Sequence, residues 1–200
     1  MSGRANRRLV TGLLVGLFLA GLLTVVRRAE TRRPGASPSD RGPFSPRPSA
    51  VAGAVTHVYD GDTIEVSGVG KVRLIGIDAM DGHNADRMSS QSQLYGLSSG
   101  EVRRWAKRAA DFARHELKGR RVVLHHGREG FDAYGRTLAY VHLPTGGTGG
   151  GDDFNLRMLK AGLAAAYRRA EHPRREDYLR AEQAAQDERV GMWTDARIQP

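Results

Sequence analysis

The chain has no cysteine among its 200 residues. That absence excludes disulfides, thiolate zinc sites and a cysteine nucleophile. Aromatic residues make up only 6% of the sequence, with two tryptophans, so any core must be built mainly from aliphatic side chains. Proline is scarce outside one stretch, since five of the eight prolines lie between residues 29 and 53. The seven histidines show no ligand spacing. His125 and His126 are adjacent in a strand-like run, where successive side chains point to opposite faces, so no histidine metal site is expected. The glycine-rich stretch from Pro144 to Gly151 lacks the Lys-Ser/Thr of a phosphate-binding loop and reads as a surface connection.

Charge of one sign is also scarcer in the body of the chain than the total suggests. The formal net charge is +9, but residues 1–53 carry nine arginines against Glu30 and Asp40. Only +2 is left for everything after residue 53. Bulk charge therefore says little about whether the folded part binds polyanions, and local clusters must carry that argument.

The first 53 residues divide by composition. Residues 1–8 form a basic tail. Leu9 to Val26 is an uncharged run of 18 residues bounded by Arg4, Arg7, Arg8, Arg27 and Arg28. As a helix it would span roughly 27 Å, close to the ~30 Å hydrocarbon core of a bilayer. It is expected to be a single-pass membrane anchor. The alternative is a signal peptide whose cleavage releases the rest, although no small-x-small site follows the run. Both flanks are basic, so charge does not orient it. Residues 27–53, rich in Pro, Arg and Ser, cannot bury a core and read as a disordered linker.

Residues 54–196 read as one folded domain of the α+β class. Val55–Tyr59 and Thr63–Val66 alternate around Asp60-Gly61, the pattern of a hairpin. Ser67-Gly68-Val69-Gly70 is a second turn, and Lys71–Ile77 a third strand. Arg121–His126 and Thr137–Leu143 complete five short strands, expected to form a small, curled antiparallel sheet. Three helices are expected. Ser98-Ser99-Gly100-Glu101 is a capping box for a helix running to Lys118. The others cover Asn155–Ala161 and Arg174–Val190, with Met192-Trp193 packing the last one down. The segment 81–100 gives no pattern of its own and reads as a loop.

Chemistry-bearing residues gather at strand ends. Asp62 and Asp78 lie in Asp60-Gly61-Asp62-Thr63 and Arg73-Leu74-Ile75-Gly76-Ile77-Asp78. Carboxylates of this kind hold a hard divalent cation, and with a backbone carbonyl and water they suit calcium better than zinc. Arg73, together with Arg136 of Asp132-Ala133-Tyr134-Gly135-Arg136, can grip a phosphate with a planar fork. Carboxylates, a cation and two guanidinia are what metal-assisted cleavage of a phosphodiester needs.

Five motifs in order resemble the staphylococcal nuclease (thermonuclease) family. They are Tyr-Asp-Gly-Asp-Thr (59–63), Arg-Leu-Ile-Gly-Ile-Asp (73–78), Asp-Ala-Tyr-Gly-Arg-Thr-Leu-Ala-Tyr (132–140), Asn-x-x-x-Leu-x-x-Gly-Leu-Ala (155–164) and Gly-Met-Trp (191–193). The resemblance covers nearly all of 54–196. It implies an OB-fold five-stranded β-barrel with three helices, and calcium-dependent hydrolysis of DNA and RNA that leaves 3′-phosphate ends. Asp62 and Asp78 match the calcium carboxylates, and the carbonyl of Ala79 matches a backbone ligand. Arg73 and Arg136 match the phosphate-contacting arginines. Tyr134 and Tyr167 match tyrosines of the nucleotide pocket. Asp81 stands where the family's general base is a glutamate.

The departures gather there too. The family reads Asp-Thr-Pro-Glu where this chain has Asp78-Ala79-Met80-Asp81. The aspartate is one methylene shorter, and misplacement of roughly 1 Å can cost about a hundredfold in rate. The expectation is a monomeric nuclease domain whose partner is nucleic acid. Millimolar calcium outside cells would fill such a weak site, so the domain is expected on the extracytoplasmic side of the membrane. The competing reading is a binding module that keeps the barrel and has lost catalytic strength. Four of the five charged site positions being intact favours the enzyme.

Overall fold

A computed structural model describes residues 50–145 and 151–197. The expected basic tail, the expected 9–26 anchor and most of the expected linker lie outside the described residues, as do residues 146–150 and 198–200. Among the described residues, no helix is long and apolar enough to cross a membrane.

Five strands form a closed barrel. They are β1 (Ala50–Val58), β2 (Thr63–Val66), β3 (Gly70–Leu74), β5 (Arg121–Phe131) and β6 (Thr137–Leu143). The order β3-β2-β1-β5-β6 is antiparallel throughout, and a parallel pairing of β3 with β6 closes it. Closure removes both sheet edges. Alternation sets the inside. Val55, Val58, Ile64, Val66, Val72, Leu74, Val122, Leu124, Ala139 and Val141 are all buried in one cluster. Removing a side chain such as Ile64 from water contributes about 1.5–3 kcal/mol.

Three boundaries differ from expectation. Strand β1 begins at Ala50, pairing residues 50–54 with β5, so residues 50–53 belong to the barrel and not to the linker. The expected strand 71–77 is broken in two. Gly76 has φ +76, and β4 (Ile77–Ala79) leaves the barrel to pair with β8 (Ala164–Ala166). A Cβ on Gly76 would lie 2.5 Å from a His172 ring carbon, so this break requires glycine twice over. Third, the segment after Asp81 contains an unexpected helix, α1 (Ala85–Tyr95). It is capped by Asn84, whose side chain accepts from the Arg87 amide, and ended by Gly96 in the left-handed region.

The expected helices are present as α2 (Ser99–Leu117), α3 (Phe154–Lys160) and α4 (Arg175–Asp187), giving four in all among the described residues. The Ser98/Glu101 capping box forms. Helix α2 has two jobs. Its second half packs Ala109, Ala113 and Leu117 on the barrel. Its first half packs Val102, Trp105 and Ala106 into a second cluster with Met192 and Trp193, which are buried as expected. The two-residue strand β7 (Asp152–Asp153) pairs antiparallel with the end of β6 just before α3.

Candidate active site

The connection between β1 and β2 places Asp62 at the barrel mouth. Gly61 is wedged there: a Cβ on it would lie 2.7 Å from Ala109 Cβ and 2.8 Å from Ala79 Cβ. The Asp62 side chain is 8% exposed. Its Oδ2 accepts from the Ala79 amide at 2.7 Å, and its Oδ1 from the Thr63 hydroxyl at 3.1 Å. The DGDT motif is thus tied to the end of β4.

Arg73 sits opposite Thr63 on β3 and points into the same place. One guanidinium nitrogen pairs with Asp62, and the other contacts Asp78 Oδ1 and the Ile77 carbonyl, both at 3.1 Å. Burial lowers the Arg73 pKa, and Asp78 and Asp60 pull it back up. Two carboxylates sixteen residues apart in the chain are therefore held by one side chain. Asp78 does not itself line the cleft but sits behind the two arginines that hold it.

Helix α1 supplies residues that sequence reasoning missed. Arg87 donates to Asp78 Oδ1 at 2.7 Å and lies 3.4 Å from Asp81 Oδ2. Burial lowers the Arg87 pKa, but the Asp78 carboxylate outweighs it and the net shift is upward. Gln91, one helical turn on and buried, donates to the Ala79 carbonyl at 3.0 Å and accepts from the Asp81 amide at 2.8 Å. Arg87 and Gln91 share one face at i, i+4 spacing. The signal existed in the sequence, but only for a reader who had placed a helix there. Asp60 was also missed as a site residue. Its Oδ1 accepts from the Asp62 amide at 3.0 Å, and it lines the cleft. Burial raises its pKa against the pull of Arg73.

Asp81 is placed differently from a free base. Its Oδ1 accepts from the amides of His83 and Asn84, both at 2.9 Å, so it caps the turn that leads into α1. Only Oδ2, beside Arg87, faces the cleft chemistry.

Arg136 comes from the start of β6, held by Asp132, whose Oδ2 accepts from its Nε at 2.7 Å. Tyr134 projects from the same turn, 85% exposed, with the Arg136 guanidinium 5.4 Å from its ring centre. Tyr167 follows β8, partly exposed. Buried Glu182 anchors that strand through the Ala166 amide (3.0 Å) and Arg168 (2.5 Å). Arg73, Asp62, Asp81, Arg136, Tyr134 and Tyr167 all line one cleft of about 1130 Å³.

The donor set suits a hard cation: carboxylates of Asp62 and Asp78 reach one guanidinium, and Ala79 follows Asp78 directly. The Ala79 carbonyl accepts one bond from Gln91 and keeps a second lone pair. Among the described residues, no group of three or more His, Cys, Asp or Glu side chains is gathered for a metal. Asp62, Asp78 and the Ala79 carbonyl are the expected donors, and Asp60 and Asp81 bring further carboxylates to the same cleft.

The profile of the family described as staphylococcal nuclease homologue matches residues 71–195. The chain is 34% identical over 162 residues to the thermonuclease of Staphylococcus intermedius, covering 76% of this chain and 83% of that protein. It is 32% identical over 153 residues to the micrococcal nuclease of Shigella flexneri, covering 74% and 76%. It is also 32% identical over 149 residues to an uncharacterized protein of Methanocaldococcus jannaschii, covering 70% of each. The chain belongs to the staphylococcal nuclease family. Membership of this family and its nuclease relatives make the chain a phosphodiester-hydrolysing endonuclease.

Proposed function

We propose that the protein is a calcium-dependent endonuclease that cleaves DNA or RNA and leaves 3′-phosphate ends. The observation that carries this reading is the double pairing of Arg73 with Asp62 and Asp78 at the barrel mouth. It gathers the acidic and basic halves of the chemistry at one point. Asp62, Asp78 and the Ala79 carbonyl would hold calcium, which supplies charge to neutralise the phosphate under attack. Arg73 and Arg136 grip the non-bridging phosphate oxygens and stabilise the charge that builds on them in the transition state. Tyr134 and Tyr167 line the nucleotide's place in the cleft. Asp81 Oδ2 accepts the proton of the attacking water, while Oδ1 keeps the turn in shape. The 9–26 segment is read as the tether that holds the domain, acting as a monomer, outside the cytoplasm, where calcium is plentiful.

The full chain in non-ionic detergent is to be incubated with single-stranded DNA in calcium and in excess chelator. Cleavage in calcium alone is expected. The new 3′ ends should resist polymerase extension until treated with phosphatase. Calcium-independent cleavage, or directly extendable ends, would overturn the proposed chemistry. Protection of the domain from protease added to intact cells would contradict the placement.

A second reading has one observation in its favour: Asp62, Asp78 and Asp81 already have arginine partners. Calcium must displace these contacts, which suits a weakened enzyme kept as a nucleic-acid- or protein-binding module. Tight DNA binding without cleavage at any calcium concentration would select it.

A further inference from the structure

Helix α2 carries a charge pattern that the catalytic cleft does not use. Its buried face is made by Val102, Trp105, Ala106, Ala109, Ala113 and Leu117. The opposite, exposed face carries Arg103, Arg104, Lys107, Arg108, Arg114 and, at the C-cap, Lys118. At 100° per residue these six fall within an arc of about 140°. Only one carboxylate of the helix, Asp111, shares the arc, and it is contacted by both Lys107 (2.6 Å) and Arg114 (2.7 Å). Asp195 contacts Arg104 at 2.7 Å from outside the helix. Arg103, Arg108 and Lys118 make no salt bridge to any carboxylate among the described residues. Six cations against two carboxylates leave a local excess of positive charge on a domain that is nearly neutral overall.

The stripe also starts at the active site. Gly82 follows Asp81, and a Cβ on it would lie 3.2 Å from Ala106 Cβ and 3.6 Å from the Arg103 Cα. The turn that forms one rim of the cleft therefore rests on the first half of α2. From Arg103 to Lys118 the helix runs on for roughly 22 Å at 1.5 Å per residue.

We propose that the exposed face of α2 is an extended phosphate-binding track for the nucleic-acid strand as it leaves the cleft past Gly82. The inference rests on the nuclease reading for the class of ligand, and adds a surface outside the catalytic residues. The commitment to nucleic acid comes from continuity with the cleft. Asp81 lines the cleft and the next residue, Gly82, packs on Arg103, so the cleft rim and the cationic face of α2 are neighbours. Such contacts read no sequence. They add affinity for long strands, and that affinity falls with salt.

The test uses the full chain in non-ionic detergent and a triple variant, Arg103→Gln, Lys107→Gln and Lys118→Gln. Glutamine keeps helix propensity. A charge-preserving variant, Arg103→Lys, Lys107→Arg and Lys118→Arg, controls for shape, and circular dichroism melts confirm folding. Binding of fluorescent 30-nucleotide and 4-nucleotide DNA is measured in chelator over a salt series, and cleavage of both in calcium. The triple glutamine variant is expected to bind the 30-mer about tenfold or more weakly at 0.1 M salt, with a log–log salt slope shallower by about 2. Its cleavage of the 4-mer should be unchanged, and the charge-preserving variant should match the parent. Unchanged 30-mer affinity and slope overturn the proposal, as does a parent that binds no DNA. Loss of binding to phosphatidylglycerol vesicles with DNA affinity intact also overturns it, making the stripe a lipid contact. If the parent binds the 30-mer through the stripe but never cleaves in calcium, the track stands and the nuclease reading falls. If cleavage is normal and the stripe is silent, the reverse holds.

Discussion

Arg87 reaches from the first turn of α1 to donate to Asp78 Oδ1 at 2.7 Å. A guanidinium thus occupies a carboxylate oxygen that the proposed calcium needs. The pair is partly solvated, with the Arg87 side chain 46% exposed, so its net worth is small. Arg87→Gln should remove that competition. The calcium concentration for half-maximal cleavage should fall by about three- to fivefold. A calcium titration of activity measures it, and an unchanged midpoint would show that Arg87 does not compete.

Arg73 is the opposite case, because it is buried between two carboxylates. Arg73→Ala should reduce cleavage by at least about a hundredfold, the scale of losing one preorganised charge contact to a transition state. It should also destabilise the calcium-free protein by about 3–5 kcal/mol, since Asp62 and Asp78 are left without their shared partner. Calcium should then restore more of the melting temperature in the variant than in the parent. Equal calcium shifts in both would argue that the two aspartates do not share a cation.

Asp81 has two separable tasks. Asp81→Asn keeps an oxygen to accept from the His83 and Asn84 amides but removes the base. The expected result is an unchanged melting temperature with a rate about a hundredfold lower. A normal rate would reduce Asp81 to a turn cap. Asp81→Glu should lower the melting temperature instead, because the longer side chain no longer fits the two-amide cap.

Asn155 stitches the barrel closure. It is fully buried, accepts from the Val141 amide at 3.1 Å and donates to the Ile75 carbonyl at 2.9 Å. Asn155→Ala leaves two buried backbone groups without partners, each worth about 1–3 kcal/mol. Urea unfolding should show a loss of roughly 3 kcal/mol or more. A loss below about 1 kcal/mol would mean that water replaces the amide.

His142 is buried beside Asp153, Arg174 and His125. Burial lowers its pKa, Asp153 opposes that, and His125 and Arg174 reinforce it. The folded state therefore holds fewer protons than the unfolded one just below pH 6.5. Stability should fall as pH drops through the unfolded value of 6.5 towards the lower folded one. His172, lowered first by burial and then by Arg175, acts in the same direction. Thermal melts at pH 7.5 and 5.5 should differ less in His142→Gln than in the parent. An equal difference would assign the pH dependence to other groups.

Much of the barrel was legible because its strands alternate cleanly and its turns carry glycine. The strand ends that bear Asp62, Arg73 and Arg136 could be read for the same reason. Helix α1 was not legible. Its sequence, ADRMSSQSQLY, has a weak apolar stripe and a run of serine and glutamine, which compete with the backbone for hydrogen bonds. It forms because Asn84 caps it, Gly96 ends it, and Gln91 and Tyr95 bury against the site and the second cluster. Arg87 and Gln91 stayed hidden with it. The break of 71–77 into two strands was likewise invisible, because the partner that takes Ile77–Ala79 is β8, nearly ninety residues away in the chain.

The sequence by itself determined which groups take part: an all-oxygen donor set without cysteine, two arginines for phosphate, and local patterns that settle into barrel strands and capped helices. Those choices depend on residue chemistry and near-neighbour spacing. The tertiary structure alone decided the pairings: Arg73 between Asp62 and Asp78, Arg87 on Asp78, and Gln91 on the Ala79 carbonyl. The Arg73, Arg87 and Gln91 pairings join groups on different elements, and the register of β2 on β3, the turn into β4 and the docking of α1 bring them within hydrogen-bond reach.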